Sequence, residues 1–330
     1  MRIAARIALI IGLTVTILLV LRAGGPATLA LLEHAGWRLL WLVPLHALPL
    51  LLDVCGWRTL LGRRAALALL WWIATVREAV NRLLPVANIG GEIVGIRLLA
   101  RFGIEGTVAA ASVIMEVLLT LFSQYLFVAL GIALALLTLH AVRPLEDTML
   151  GMAATLPLLL LLTALLRYGS VFQRFERLAE RLVGVRSQLT ALLSRSGDLD
   201  AAVRALYAQR RRLAVTVAWQ FCGLLSGALE TWLALRWLGN PRDLEDSIAL
   251  ESLTQAVRNF VFLVPAGLGV QEASLLGLGA LMGMPADVAI SLSLVKRMRE
   301  VLFGVPALIS WQWVEGWKGL AHVRSRSTQH

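Results

Sequence analysis

Four arginines lie in stretches of otherwise apolar sequence and could bind an anionic group. They are Arg82, Arg258, Arg297 and Arg299. A guanidinium group donates two parallel hydrogen bonds to a phosphate, so together they predict a polar cavity for an anionic head group. The alternative is internal neutralisation, because acidic residues stand near these arginines in the chain. Those acids are Glu78, Glu251 and Glu300.

Two glutamates occupy similar positions beside these arginines. Glu92 and Glu272 each follow a glycine-rich turn and open a new apolar segment. A carboxylate in the first turn of a helix is stabilised by the helix dipole, which is a purely structural explanation. Proton coupling or contact with a head group is the other explanation, and the sequence leaves both open. Asn81 and Asn259 precede the two turns, and we place them in the expected cavity as well.

The two turns belong to an internal repeat with a constant offset of 180 residues. The matched pairs are Pro85 and Pro265, Glu92 and Glu272, Gly103 and Gly283, Ala109 and Ala289, and Trp57 and Trp237. Proline ends a helix and glycine permits a tight turn, so each repeat is expected to contain a broken, re-entrant helix. The residues expected at the breaks are Pro85, Gly90, Gly91, Pro265, Gly267 and Gly269.

The same offset relates Glu116 to Lys296, two opposite charges in apolar surroundings. This relation predicts a buried ion pair between the repeats. His46 lies between two prolines in an apolar run, and a structural role is expected for it rather than a catalytic one. Nucleotide-binding and hydrolase motifs are absent, and the histidines are not paired at metal-ligand spacing. We therefore expect no catalytic residue, no cofactor, no metal site and no enzymatic activity.

The elements that position these residues must be membrane helices. Apolar residues make up 58% of the 330 residues and charged residues 16%, whereas soluble domains have about 45–50% and about 25%. A helical span needs about 20 apolar residues, and the apolar runs are continuous, unlike the alternating strands of a membrane barrel. Expected spans are 3–21, 38–55, 107–138, 150–167, 213–238 and 287–314, and shorter apolar pieces occur at 65–84, 86–100, 248–264 and 270–282. The sequence predicts an all-α polytopic protein with an even number of crossings, from six to ten.

The net charge of +10 indicates topology rather than nucleic-acid binding, because cytoplasmic loops of membrane proteins collect Lys and Arg. Residues 1–6, 56–66, 168–212 and 315–330 carry net charges of +2, +3, +5 and +2, whereas 139–149 and 239–247 carry −1 and −2. Both termini are therefore expected in the cytoplasm. Trp57 and Trp237 then end spans of opposite direction, so the repeats are expected to be inverted, as in many transporters.

This pattern predicts four parts of the chain. Residues 1–167 form a membrane half with the first repeat, and 213–314 form the second repeat. Residues 168–212 form a cytoplasmic, basic linker, for which an amphipathic interfacial helix and a protein-docking segment are the two interpretations. Residues 315–330 form a basic cytoplasmic tail. The oligomeric state is not determined by the sequence.

The chain resembles the lysylphosphatidylglycerol synthase transmembrane-region family, which includes flippase-like proteins. The segments that carry this resemblance are NRLLPVANIGGEIVGIR at 81–97, VPAGLGVQE at 264–272 and KRMRE at 296–300. A narrower resemblance, to hopanoid-associated HpnL-type proteins, is carried by GWRLLW at 36–41, LHALPLLLD at 45–53 and VREAVNRLLP at 76–85.

The resemblance implies a protein of the bacterial inner membrane that handles anionic or isoprenoid lipids, most simply as a flippase or transporter. Relatives of the MprF type carry a large aminoacyl-transferase domain, which this sequence lacks, so lysyl transfer is not expected. Two other functions stay open. One is a non-catalytic scaffold for a lipid-biosynthesis complex, with biosynthetic enzymes as partners. The other is an integral-membrane transferase acting on a lipid-linked substrate.

Overall fold

The structure is a computed structural model, and it describes residues 25–84, 90–139, 196–260 and 269–327. Within these ranges the chain is helical and contains no β-strand. This agrees with the all-α class expected from the continuous apolar runs.

The helices follow one another with short connections inside each described range. Before the gap at 85–89 they are α1 (Gly25–Ala35), a 3₁₀ turn (Gly36–Trp41), α2 (Leu42–Leu45), α3 (Ala47–Leu61), a 3₁₀ turn (Gly62–Arg64) and α4 (Leu67–Leu83). The next range holds α5 (Gly90–Arg101) and α6 (Gly106–Leu139). The remaining helices are α7 (Ser196–Tyr207), α8 (Arg210–Trp237), α9 (Leu244–Phe260), α10 (Val270–Leu281) and α11 (Ala286–Ser327).

Three described helices are long and apolar enough to cross a membrane. They are Ala27–Leu61, which runs from α1 to α3, Gly106–Leu137 and Arg210–Trp237. They contain the expected span 38–55 and nearly all of 107–138 and 213–238. The apolar run 107–138 forms one helix rather than two short ones. Large apolar side chains such as Trp37, Trp41 and Trp313 are exposed, as expected of a surface that faces lipid. The expected spans 3–21 and 150–167 lie outside the described residues.

The 180-residue offset reappears in the helix bounds. α5 and α10 each have 12 residues, and both the starts and the ends of these helices differ by that offset, as do the starts of α6 and α11. The connections also match: Gly103 has φ of 89° and Gly283 has φ of 66°. A left-handed conformation suits glycine at both places, because it has no Cβ to clash. The two segments therefore have matching helix bounds and matching turns, while the inversion of the repeats stays a prediction.

Two hydrophobic cores lie along the long helices α6 and α11. The first core is built largely from α3, α4, α5 and the first part of α6, with Trp57 and Leu98 fully buried. The second is built largely from α8, α9 and the first part of α11, with Leu235 of α8 and Leu275 of α10 buried in it. Burial of such side chains is the main source of stability in the part of the fold that lipid does not cover.

Helices α6 and α11 each take part in both cores. In α6, Met115 belongs to the first core and Ile132 to the second; in α11, Leu292 belongs to the second and Ala307 to the first. α4 packs against α11, and α9 packs against α6. The two repeats are therefore interleaved rather than placed side by side.

The α6–α9 contact is close because of Gly131. A Cβ at this position would overlap the hydroxyl of Ser252 on α9. The missing side chain lets the two backbones approach, which is how small residues act at helix contacts within membranes.

Helix α7 lies inside the segment 168–212 that was expected to be an amphipathic linker. Val203 is buried, and Leu199 and Leu206 pack against the first core, while Arg204 on another face is exposed. This part of the segment is thus an amphipathic helix docked on the protein. The part at 168–195 lies outside the described residues.

Candidate polar cavity between the repeats

A cavity of about 400 Å³ opens between the two cores, beside the middle of α6 and the first third of α11. Its acidic lining residues are Asp53, Glu78, Glu92, Glu116, Glu230 and Glu251. Its basic lining residues are Arg77, Arg82, Arg258, Lys296 and Arg299, together with His46. Six acids therefore face five permanent cations, and the lining as a whole is not positively charged.

Arg77 on α4 is the centre of the charge cluster of the first repeat. One guanidinium nitrogen, Nη2, forms an ion pair with Glu92 on α5 and lies 2.6 Å from Oε2 of Glu116 on α6. The guanidinium also stacks on Trp57, 4.7 Å from the ring centroid. Arg77 thus connects α3, α4, α5 and α6 through one side chain.

Asn81 fixes the start of α5 against α4. Its Oδ1 accepts a hydrogen bond from the backbone N–H of Gly91 at 2.8 Å, and its Nδ2 donates to Oε1 of Glu92 at 3.3 Å. A Cβ on Gly91 would overlap the carbonyl oxygen of Arg77. The glycine is therefore needed for the close approach that brings Glu92 to Arg77.

Arg297 on α11 is the centre of the charge cluster of the second repeat. Its Nε donates to Oε1 of Glu272 on α10 at 3.2 Å, and its Nη1 donates to Oε2 of Glu300 at 3.0 Å. The Ser293 hydroxyl also donates to Oε1 of Glu272 at 3.2 Å. Glu272 thus occupies the position of Glu92 but takes its cation from a different helix.

Glu116 and Lys296 both line the cavity, but the structure gives them partners other than each other. Glu116 pairs with Arg77, and Lys296 pairs with Glu251 on α9. Glu251 also accepts hydrogen bonds from Thr231 at 2.6 Å and Gln255 at 3.3 Å. The expected pair between Glu116 and Lys296 is replaced in this structure because each residue meets an opposite charge on a nearer helix of its own repeat.

His46, between α2 and α3, joins the two sides of the cavity. Its Nδ1 lies 3.0 Å from Oε1 of Glu230 on α8, and its Nε2 lies 3.1 Å from both carboxylate oxygens of Glu78 on α4. Glu230 in turn forms an ion pair with Arg299 on α11. We call His46, Glu78 and Glu230 the histidine triad.

Arg82 and Arg258 have the longest ion-pair contacts among the cavity arginines. Each guanidinium lies 3.8 Å from Oε1 of Glu300, and this oxygen has no hydrogen-bond partner among the described residues. Arg258 also donates to Oε1 of Gln271 at 2.6 Å. The side chain of Arg82 is 36% exposed. Among the cavity arginines, these two therefore have the weakest ion pairs.

Most residues that the sequence assigned to the cavity do line it, and these are Asn81, Arg82, Glu92, Arg258, Asn259 and Arg299. Arg297 and Glu272 lie behind the wall, where they pair with each other. Gly90 and Gly91 begin α5, and Gly269, with φ of 78°, precedes α10. Pro85, Pro265 and Gly267 lie outside the described residues.

Several lining residues of the cavity were not predicted from the sequence. Asp53 is an acid within the apolar run 38–55, which is a sufficient signal in a membrane helix. His46 is also a polar residue in an apolar run and could have been assigned to the cavity for the same reason, but its flanking prolines favoured a structural interpretation. Gln124 and Gln220 carried no comparable signal, because a neutral amide in an apolar helix is common. Gln220 on α8 donates to the Thr120 hydroxyl on α6 at 2.7 Å.

In the part of the chain that the structure describes, no group of three or more His, Cys, Asp or Glu side chains is arranged to hold a metal ion. The carboxylates of the cavity face guanidinium, ammonium or imidazole groups instead. A lining of this kind can bind a charged group by exchanging one of these internal ion pairs for an ion pair with that group.

Comparison with known proteins gives one match. The model of the family described as "Lysylphosphatidylglycerol synthase TM region" matches residues 6–307. No curated protein matches the chain. No solved structure matches it either.

Proposed function

We propose a lipid-transport function for this chain, which belongs to the lysylphosphatidylglycerol synthase transmembrane-region family. The family places the chain among membrane proteins of lipid biology. In our proposal the protein moves a polar lipid between the leaflets of the bacterial inner membrane. The head group passes through the cavity between the two repeats, while the acyl or isoprenoid chain stays in the bilayer.

The single observation that carries this proposal is the charged cavity itself. A space of about 400 Å³ is lined by six acids, by five Arg or Lys residues and by His46, in a chain that is 58% apolar. A charge at the bilayer centre costs about 2.5–3.5 kcal/mol on insertion scales, so such residues mark substrate or ion pathways. A purely structural ion-pair network would not need open space beside it.

The head group is held, in this proposal, by Arg82 and Arg258. These arginines come from α4 and α9, and both face Glu300 at 3.8 Å. A phosphate between them would receive charge-assisted hydrogen bonds from two planar donors. The acids of the lining neutralise the other cations, which leaves these two for the ligand. We therefore propose a phosphate-bearing lipid as the substrate.

Alternating access is the proposed mechanism, with the repeats inverted across the membrane. The shared 180-residue offset in helix bounds and the opposite charge of the loops near Trp57 and Trp237 support it. In this arrangement one repeat rocks against the other around the cavity. Cysteine labelling on either side of the membrane tests the arrangement, and the proposal expects the segment 168–212 and both termini on the cytoplasmic side.

The test is lipid translocation by the purified protein in liposomes. We expect the wild type to move a fluorescent phosphatidylglycerol or an isoprenoid phosphate between leaflets, and a comparison of the two identifies the lipid class, including any relation to hopanoid lipids. Arg82→Lys and Arg258→Lys keep the charge but lose the planar fork. Each is expected to slow translocation about tenfold, because a charge-assisted hydrogen bond contributes about 1.5–3 kcal/mol.

Arg97→Lys is the matched control. Arg97 lies on α5, is 64% exposed and pairs with Glu315 at 2.7 Å, away from the cavity. This variant is expected to translocate lipid at the wild-type rate. Normal translocation by the Arg82→Lys and Arg258→Lys variants would exclude these two arginines as the residues that bind the phosphate. A wild type that moves neither lipid would overturn the transport function.

A further inference from the structure

The two contacts of His46 in the histidine triad depend on how many protons the triad holds. Nδ1 of His46 lies 3.0 Å from a Glu230 oxygen, and Nε2 lies 3.1 Å from the Glu78 oxygens. A neutral imidazole has one N–H and one lone pair, and an ionised carboxylate only accepts hydrogen bonds. Both contacts are hydrogen bonds only when an extra proton is present, either on the imidazole ring or on one of the carboxyl groups.

The surroundings of the triad are rich in charge. Besides its two carboxylates, His46 shares the cavity with Arg82 of α4, Asp53 of α3 and Arg299 of α11. Glu230 is also bound by Arg299. Glu78 forms an ion pair with His46, so a charged His46 ring helps to neutralise that acid.

His46 and Glu78 of the triad, together with Arg82, separate two spaces. His46, Glu78 and Arg82 line the large cavity and also a second space of about 10 Å³, which Glu300 and Phe303 of α11 close. A space of roughly 10–15 Å³ is what a single water needs. The edge of the His46 ring meets Phe303 with ring centroids 5.0 Å apart. A proton at His46 is thus next to the lipid cavity on one side and to a water-sized space on the other.

We propose that the histidine triad is a proton-binding site and that the proton is the coupling ion of transport. This inference rests on the proposed function for its second half only. When Nε2 gives its proton to water, the electron pair of the N–H bond stays on the ring nitrogen, which then faces the lone pairs of Glu78. The contact turns from attractive to repulsive, and the tie between the α2–α3 segment and α4 is lost.

This change acts where the two sides of the fold meet. α4 belongs to the first repeat, and through Glu230 and Arg299 the triad reaches α8 and α11. Binding of one proton therefore favours one arrangement of these helices and its release favours the other, as a ligand does when it binds two states unequally.

The first experiment detects the proton directly. Nitrogen NMR of isotope-labelled histidine distinguishes an imidazolium from a neutral ring in the full-length protein in lipid nanodiscs. At about pH 8, well above the ~6.5 at which a free histidine titrates, we expect His46 to give the imidazolium signal. His46→Gln assigns that signal by removing it, and His34→Gln, at an exposed position on α1, leaves it in place.

Glu78→Gln supplies a second, independent variant. A side-chain amide can donate to Nε2, so a neutral ring would then satisfy both contacts. The imidazolium signal at about pH 8 is expected to disappear in this variant while its thermal unfolding stays close to that of the wild type. A neutral His46 in the wild type at this pH would overturn His46 as the residue that carries the proton.

The second experiment measures coupling in liposomes with a pH gradient. One proton moved per lipid shifts the steady-state ratio of lipid between the leaflets about tenfold for each pH unit, since about 1.4 kcal/mol is a factor of ten. The shift is expected in the wild type and in His34→Gln, and is expected to be lost in His46→Gln. A wild type that moves lipid without regard to the gradient would overturn the coupling. A wild type that moves no lipid would refute the transport function instead, and the NMR signal would still decide the proton site.

Discussion

In the first repeat Glu92 takes its cation from α4, whereas in the second repeat Glu272 takes its cation from α11. The residues that correspond by the 180-residue offset to the two cations, Arg77 and Arg297, are Val257 and Val117. The carboxylate at the start of the short helix is thus kept, while its partner differs. Both repeats neutralise a carboxylate at this position, but each uses a cation from a different helix.

The two clusters also differ in how much support each acid has. In the first repeat Arg77 is the ion-pair partner of both Glu92 and Glu116. In the second repeat Glu300 faces two further guanidinium groups, and Glu272 also accepts from a serine hydroxyl. The two acids of the first cluster share one cation, whereas the two acids of the second face three guanidinium groups.

The largest expected effect comes from Arg77→Ala. It leaves two acids in a membrane interior without their cation, and removal of one partner of a buried ion pair costs about 3–5 kcal/mol. Arg297→Ala is expected to cost clearly less, because its two acids keep other donors. Thermal unfolding of both variants in one detergent measures the difference. Equal losses of stability would show that each cluster depends to the same degree on its central arginine.

Lys296→Met tests the second repeat alone. Glu251 keeps its hydrogen bonds from Thr231 and Gln255, so the expected cost is near the lower end for a broken buried pair, about 3 kcal/mol. Adding Glu251→Gln to Lys296→Met is expected to restore most of this stability, because no charge is then left unpaired. A double variant no more stable than Lys296→Met would contradict the ion pair as the cause.

Gly131→Ala tests the contact through which α9 of the second repeat packs on α6 of the first. The new methyl group would overlap the Ser252 side chain, and overpacking of this kind costs about 1–3 kcal/mol. Gly227→Ala on α8 is the control, because a Cβ there meets nothing within 4 Å. The midpoint of thermal unfolding distinguishes the two variants.

Gly103→Ala and Gly283→Ala give the smallest effect and the sharpest test of the shared backbone. Both glycines have positive φ, and a Cβ at either meets nothing within 4 Å. The cost is therefore the left-handed conformation itself, about 1–2 kcal/mol. We expect the two variants to lose the same stability within error. Unequal losses would show that the matched turns are not energetically equivalent.

The sequence predicted the helices better than it predicted the partners of their charges. The apolar runs gave α6 and α8 almost to their bounds, and the offset based on Gly103 and Gly283 located equivalent turns. The partners of Glu116 and Lys296 could not be found this way, because a repeat offset says which residues are equivalent and not which helices touch. The exchange of packing partners between α4 and α9 is a property of the whole fold and has no local signature.

The passage of α6 and α11 through both cores has a consequence for assembly. Each repeat on its own would have one long helix whose second half lacked a partner, and a second copy of the repeat would supply it. With the repeats related by a two-fold axis, as we propose, the chain would be organised like a homodimer whose subunits have been joined end to end. Joining them makes the pairing independent of concentration, so the halves of this protein should never be found apart in a dilute membrane.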